Sequence, residues 1–114
     1  MKNLESVALF KIHDGKLKEF KALAKQCLAI VKEQEENTLR YDWFFNEDNT
    51  ECVVIEKYTD SNAVFVHLGD FGDLLGQLTE IADLSLEVYG DPSEELKKTI
   101  APMNPKLYSF YQGL

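Results

Sequence analysis

Two short stretches constrain the fold more than any other part of this chain: Thr38-Leu39-Arg40-Tyr41-Asp42-Trp43-Phe44-Phe45 and Cys52-Val53-Val54-Ile55-Glu56-Lys57-Tyr58. Both read as β-strands, and Trp43-Phe44-Phe45 and Val53-Val54-Ile55 put apolar side chains above and below the sheet. A hairpin with one solvated face would alternate apolar with polar, so this one has to be covered from two sides. The polar run Asn46-Glu47-Asp48-Asn49-Thr50 between the strands is a turn. With Asp48-Asn49 as a two-residue loop, Tyr41 opposes Glu56, Trp43 opposes Val54 and Phe45 opposes Cys52. Tyr41, Trp43, Phe45, Glu56 and Tyr58 then share one face, whereas a three- or five-residue loop reverses the parity. A glutamate inside an aromatic-walled layer, with His67 on the following element, suggests a small-molecule pocket.

The remaining elements follow from periodicity. Ser6 to His13 alternates, with Ala8, Phe10 and Ile12 on one face, and predicts a first strand that Asp14-Gly15 ends. From Lys16 to about Glu36, Leu17, Phe20, Ala24, Cys27 and Val31 recur at helical spacing, with lysines and glutamates on the solvated face. Thr59-Asp60-Ser61 caps a helix expected to run to about Leu68 and to be interrupted by Gly69, with Ala63, Val64 and His67 on one side. Leu74, Leu75, Leu78 and Ile81 mark another helix, and Leu84, Leu86 and Val88 a fourth strand. Asp91-Pro92-Ser93-Glu94 reads as a helix start with Asp91 as the N-cap. Lys106 to Gln112 reads as a last strand.

The order β-α-β-β-α-β, extended by a helix and a strand over residues 91–114, is the ferredoxin-like split βαβ plan: one α+β domain spanning 1–114, with an antiparallel sheet. Helices on one face leave the other apolar face bare. A second copy is expected to cover it, giving a homodimer with two sheets face to face and the C-terminal strand against the edge of the partner's sheet.

Composition narrows the function classes. Twenty acidic against twelve basic residues give a net charge of −8, the wrong sign for nucleic acid or an anionic membrane. No apolar run approaches the roughly 20 residues that span a bilayer, and Met1-Lys2-Asn3-Leu4-Glu5 has no apolar signal core, so a cytoplasmic protein is expected. Cys27 and Cys52 stand outside any C-x-x-C or Cys/His cluster and read as buried, reduced thiols. His13 and His67 lack metal-ligand spacing, and no glycine-rich dinucleotide fingerprint or P-loop is present, so neither metal nor cofactor is expected.

The succession of Gly15 before a long helix, Glu36-Asn37-Thr38-Leu39-Arg40-Tyr41-Asp42-Trp43, Val54-Ile55-Glu56-Lys57-Tyr58-Thr59-Asp60-Ser61-Asn62-Ala63 and then His67 resembles the antibiotic biosynthesis monooxygenase (ABM) family. The resemblance runs from about Val7 to Tyr89. It implies a dimeric α+β barrel with a pocket in each protomer between sheet and helices. Some members of that family oxidise phenols or hydroquinones with molecular oxygen and no cofactor, while others degrade haem or isomerise small sugar-derived signals. Haem degraders carry an asparagine on the first strand and a tryptophan on the helix preceding the ligating histidine. Here the first strand reads Val7-Ala8-Leu9-Phe10-Lys11 and the tryptophan is on the second strand, so haem is not expected.

What the resemblance implies is a cofactor-independent monooxygenase for a small phenolic or quinol-type substrate. His67 would be its base, Glu56 the orienter of His67, and Tyr41 with Trp43 a stacking and oxyanion wall, joined by Phe45 and Tyr58 in binding substrate. Each role has a structural counterpart: His67 as a tie between helix and sheet, Glu56 as an ion pair with Arg40 or Lys57, the aromatics as core. Two other functions fit the same pocket, a non-oxidative, isomerase-like enzyme and a non-catalytic small-molecule-binding or stress-response dimer.

Overall fold

The computed structural model describes residues 3–114; Met1 and Lys2, which begin the N-terminal segment read above, lie outside the described residues. The elements are β1 (Leu4–Ile12), α1 (Leu17–Gln34), β2 (Thr38–Phe45), β3 (Glu51–Tyr58), α2 (Ser61–Phe71), α3 (Leu74–Ile81), β4 (Ala82–Tyr89), α4 (Glu94–Ile100), a 3₁₀ turn over Ala101–Met103, and β5 (Lys106–Tyr108). The strands form one sheet in the order β2-β3-β1-β4-β5. Every pairing is antiparallel except that of β4 with β5. This is the expected ferredoxin-like α+β fold.

The β2–β3 register pairs Tyr41 with Glu56, Trp43 with Val54 and Phe45 with Cys52. The loop is longer than two residues, since the Asn46 N–H donates to the Glu51 carbonyl at 3.1 Å and residues 47–50 turn the chain with Asn49 at φ +58°. An even-numbered loop keeps the parity, so Tyr41, Trp43, Phe45, Glu56 and Tyr58 face the helices together. Val7, Leu9, Val53 and Ile55 project from the opposite, uncovered side of the sheet, joined by Phe44 at 48% exposure.

Two apolar clusters fill the layer between sheet and helices. The larger contains Phe10, Phe20, Cys27, Val31, Cys52, Val54 and Leu78. The smaller, Leu4, Val88, Leu96 and Ile100, lies under α4.

Three boundaries differ from the sequence expectations. Gly69 does not interrupt α2, which continues to Phe71 and ends at Gly72, where φ is +50°. An internal glycine costs a helix about 1 kcal/mol relative to alanine, and burial of Phe71 one turn beyond His67 holds the last turn against that cost. The cap of α4 is Ser93 and not Asp91: the Ser93 hydroxyl accepts from the Leu96 N–H at 3.1 Å, while the Ser93 N–H donates to Ser61 Oγ at 2.9 Å. Anchoring at Ser93 and burial of Leu96 and Ile100 move the start inward, with Glu94 and Glu95 in the first turn and Lys97 and Lys98 in the last, as the helix dipole favours. Finally, β5 is confined to Lys106–Tyr108 and lies parallel to β4 of its own chain instead of along a partner's edge. Its partner strand ends at Tyr89, and Gly90, at φ +123°, turns the chain away, so residues 109–112 have no ladder to join.

Candidate active site

Alternation along β3 sends Cys52, Val54, Glu56 and Tyr58 inward, which places a carboxylate in an otherwise apolar layer. Left alone it would be costly there. Its Oε1 accepts from the Tyr58 hydroxyl and lies 3.2 Å from His67 Nε2. His67 sits on the inward face of α2, between Ala63 and Phe71, whose spacing of four residues stacks them on one side. The partner of Glu56 is thus His67. Arg40, the competing candidate, instead pairs with Asp42 at 2.6 Å.

The other imidazole nitrogen meets a residue that sequence reasoning missed. Nδ1 of His67 lies 2.8 Å from Oε1 of Glu35, at the C-terminal end of α1, and the Thr38 hydroxyl donates to that same oxygen at 2.7 Å. The Glu35 side chain is only 2% exposed, and its Oε2 is buried without a partner. Glu35 stands four residues after Val31, so the buried stripe of α1 continued by one turn points to it. The two carboxylates are held alike, each offering Oε1 to one hydroxyl and one imidazole nitrogen. For Glu56 this leaves Oε2 uncommitted.

Electrostatics follow from this geometry. Burial by itself lowers the pKa of His67, but the hydrogen bond and charge of Glu56, and then those of Glu35, outweigh it and raise the value above the ordinary 6.5. An imidazolium with an N–H toward each carboxylate satisfies both sides. Burial and then the Glu56 charge push Tyr41 and Tyr58 upward, so both remain phenols able to donate a hydrogen bond. Burial likewise pushes the Cys27 thiol up to about 11, which removes it as a nucleophile at neutral pH.

Between the two core clusters lies a cavity of about 90 Å³, walled by Leu4, Ala8, Phe10, Val54, Phe71, Leu78, Leu84, Leu86, Val88, Leu96, Ile100 and other apolar groups. Tyr41, Trp43, Glu56, Tyr58 and His67 line it and Glu5 and Ser6 add a polar edge, but Phe45 does not reach it. Phe45 packs edge-on against Phe20 at 6.1 Å and lies 5.3 Å from the Lys21 ammonium. Trp43 is stacked on Phe10 at 6.3 Å with an interplanar angle of 4° and meets Phe20 and Tyr41 edge to face, so core neighbours already occupy its ring. The cavity is smaller than the roughly 300–1,000 Å³ of ordinary ligand pockets, which suits a small molecule. His13 is remote from it, an exposed residue 2.9 Å from Asp83. Among the described residues, no group of three or more His, Cys, Asp or Glu is placed to hold a metal ion, and no helix is long and apolar enough to cross a membrane.

Residues 4–70 match the model of the antibiotic biosynthesis monooxygenase family. MupZ from Pseudomonas fluorescens superposes with a TM-score of 0.87 at 24% identity, covering 99% of this chain and 88% of its own. SnoaB from Streptomyces nogalater, a cofactor-independent oxygenase solved as its N63A mutant, superposes with a TM-score of 0.69 at 18% identity, covering 82% and 96%. A conserved protein from Methanosarcina mazei gives 0.70 at 20% identity, covering 78% and 92%. At these identities the likeness establishes the fold alone. No curated protein sequence matches the chain significantly.

Proposed function

Because the chain belongs to the antibiotic biosynthesis monooxygenase family, we propose that it is a cofactor-independent enzyme that oxygenates a small phenol or quinol held in the inner cavity. The observation that carries this reading is the buried Glu35–His67–Glu56 array, which meets a largely apolar cavity at Glu56 and His67. At that wall His67, Tyr41 and Tyr58 have raised pKa values, and ionisable groups so shifted beside a cavity are the usual mark of acid–base chemistry. The phenolic proton passes to Glu56, whose Oε2 is uncommitted, while His67 orients that carboxylate and balances its charge. Both nitrogens of His67 are engaged, so the base and orienter roles are exchanged relative to the sequence expectation. The phenolate gives one electron to molecular oxygen, the radical pair combines to a peroxide, and loss of water leaves the quinone: phenol plus O₂ gives quinone plus H₂O. The Tyr41 hydroxyl donates to the substrate oxygen as its charge develops.

Oxygen uptake with a panel of single-ring phenols and simple hydroquinones tests the reading. Consumption above the autoxidation rate is expected, reduced about 10²–10⁴-fold in Glu56→Gln. Wild-type protein that consumes no oxygen across the panel refutes it.

One observation favours the non-oxidative, isomerase-like alternative: the raised pKa of His67 favours its protonated form, which can return a proton through Glu56 to a molecule in the cavity. Such a reaction slows as pH rises through the raised His67 pKa, whereas proton abstraction from a phenol does not.

The same reading includes a homodimer. Val7, Leu9, Val53, Ile55 and Phe44 form an apolar sheet face that the chain's own helices leave open, and a second copy closing it would complete an α+β barrel. Two buried, unpaired cysteines fit a reducing compartment such as the cytoplasm.

A further inference from the structure

The floor of the inner cavity holds a polar group that the packing of the fold does not require. β1 is the central strand of the sheet, and its inward positions Leu4, Ala8 and Phe10 are buried and apolar. Ser6 lies among them on the same face and lines the cavity, which leaves it half-buried at the centre of the sheet. Its register partner on β3 is Glu56, and the partner of Glu56 on β2 is Tyr41, so the carboxylate stands between two hydroxyl-bearing residues in one row. Residues opposed in this way have Cβ atoms roughly 4.5–5.5 Å apart, close enough for one ligand atom to meet both side chains. Oγ of Ser6 has no hydrogen-bond partner among the described residues, yet unlike Trp43 Nε1 it is not walled in, and neither is Glu56 Oε2. A packing role needs only a small side chain, which alanine supplies without a hydroxyl to satisfy. Glu5 also borders the cavity, but alternation turns its side chain to the open sheet face, opposite Lys57 and Tyr89.

We propose that Ser6 is a further catalytic residue, whose hydroxyl donates to the substrate oxygen from which Glu56 takes the proton. A bound phenol donates its O–H to Glu56 Oε2 and accepts from Ser6 Oγ on a lone pair of the same oxygen. As the proton moves, the phenol O–H bond breaks and one forms at Oε2. The electron pair left on the phenolate oxygen strengthens the hydrogen bond from Ser6, which keeps its own proton. Because that bond is stronger to the charged oxygen than to the neutral one, it lowers the barrier and does not merely tighten binding. Tyr41 on β2 and Ser6 on β1 flank the carboxylate, so donors meet the developing charge from both sides. The two contacts also define what the cavity accepts, a hydroxyl that both donates and accepts. A methyl ether has no proton for Glu56, and a ring without oxygen leaves the desolvated Ser6 hydroxyl unpaired. The inference rests on the proposed function for the identity of the substrate and adds the group that holds its reacting oxygen.

Ligand binding in the absence of oxygen tests this, so its failure is separable from failure of the oxygenase reading. In Glu56→Gln the side chain is neutral, as the carboxyl is once it has taken the proton, and bound 4-nitrophenolate then copies the charged state. In that background Ser6→Ala is expected to weaken 4-nitrophenolate about 10–100-fold, the size of a hydrogen bond to a charged group. Binding of 4-nitrotoluene, which has a methyl group in place of the oxygen, should change less than about twofold. With Glu56 intact, Ser6→Ala is expected to weaken phenol about 2–10-fold, the size of a neutral hydrogen bond, and to leave toluene unchanged. This second comparison holds even where Glu56→Gln folds poorly. Equal weakening of the oxygen-bearing ligand and its methyl counterpart, as a merely structural Ser6 would give, or weakening of neither, overturns the proposal. Selective weakening of the phenols in a protein that consumes no oxygen supports Ser6 as the hydroxyl-binding group and refutes the oxygenase reading alone. A wild-type protein that binds no phenol overturns both.

Discussion

Replacing His67 with alanine removes the one cation between two buried carboxylates. The Glu35 and Glu56 side chains are 2% and 11% exposed, and His67 is the only ion-pair partner of either among the described residues. A hydrogen bond to a charged group contributes about 1.5–3 kcal/mol, and removing one member of a buried pair costs about 3–5 kcal/mol because the other charge stays behind. The two contacts share one imidazole and do not simply add, so the expected loss at neutral pH is about 3–5 kcal/mol. Against a typical total stability of roughly 5–15 kcal/mol this is large. Urea unfolding reads it as a midpoint lowered by at least about 1 M, given slopes of about 1–3 kcal/mol/M.

The loss depends on pH in a defined direction. The folded pKa of His67 is raised, so the stability that its proton contributes is fully present below the unfolded value of about 6.5 and disappears as pH rises through the folded one. Wild type and His67→Ala therefore converge at alkaline pH. They converge again in acid, where the stranded carboxylates of the variant take up protons. Replacing Glu35, His67 and Glu56 together with leucines should recover much of the stability, since apolar replacement of a whole buried ion cluster is often neutral or better. A neutral-pH loss below about 1 kcal/mol, the range of an exposed ion pair, or a loss independent of pH, would refute the buried charged array.

Ile55→Glu puts a carboxylate on the open sheet face, so sedimentation should show the wild type at twice the chain mass and the variant at the chain mass; a monomeric wild type removes the dimer. Ser93→Ala should cost about 1 kcal/mol by deleting the α4 cap, whereas Asp91→Ala should stay within about 0.5 kcal/mol; thermal unfolding that ranks the two the other way shows Asp91 to be the cap.

Facing was legible in the sequence because it depends on local backbone period alone. Ala8 and Phe10 on β1, and Phe20, Ala24, Cys27 and Val31 on α1, are buried as alternation and helical spacing require. The hairpin parity held although the loop is longer than expected, since parity needs only an even number of loop residues. Element ends were not legible in the same way. Gly69 lies inside a helix because Phe71 packs beyond it, and Ser93 outranks Asp91 because it is tied to Ser61 on another element.

The site divides along the same line. Glu56 and His67 stand out in the sequence as ionisable groups in apolar company, and their period places both on the inward side. Glu35 reads as the solvated end of a helix until the last turn of α1 and the middle of α2, 32 residues apart, pack together and bring it 2.8 Å from His67. That packing, which no local period encodes, gave Glu56 a histidine partner instead of Arg40 or Lys57. It also raised the His67 pKa toward the imidazolium form, because a pKa follows the charges across the layer and not the residues alongside in the chain.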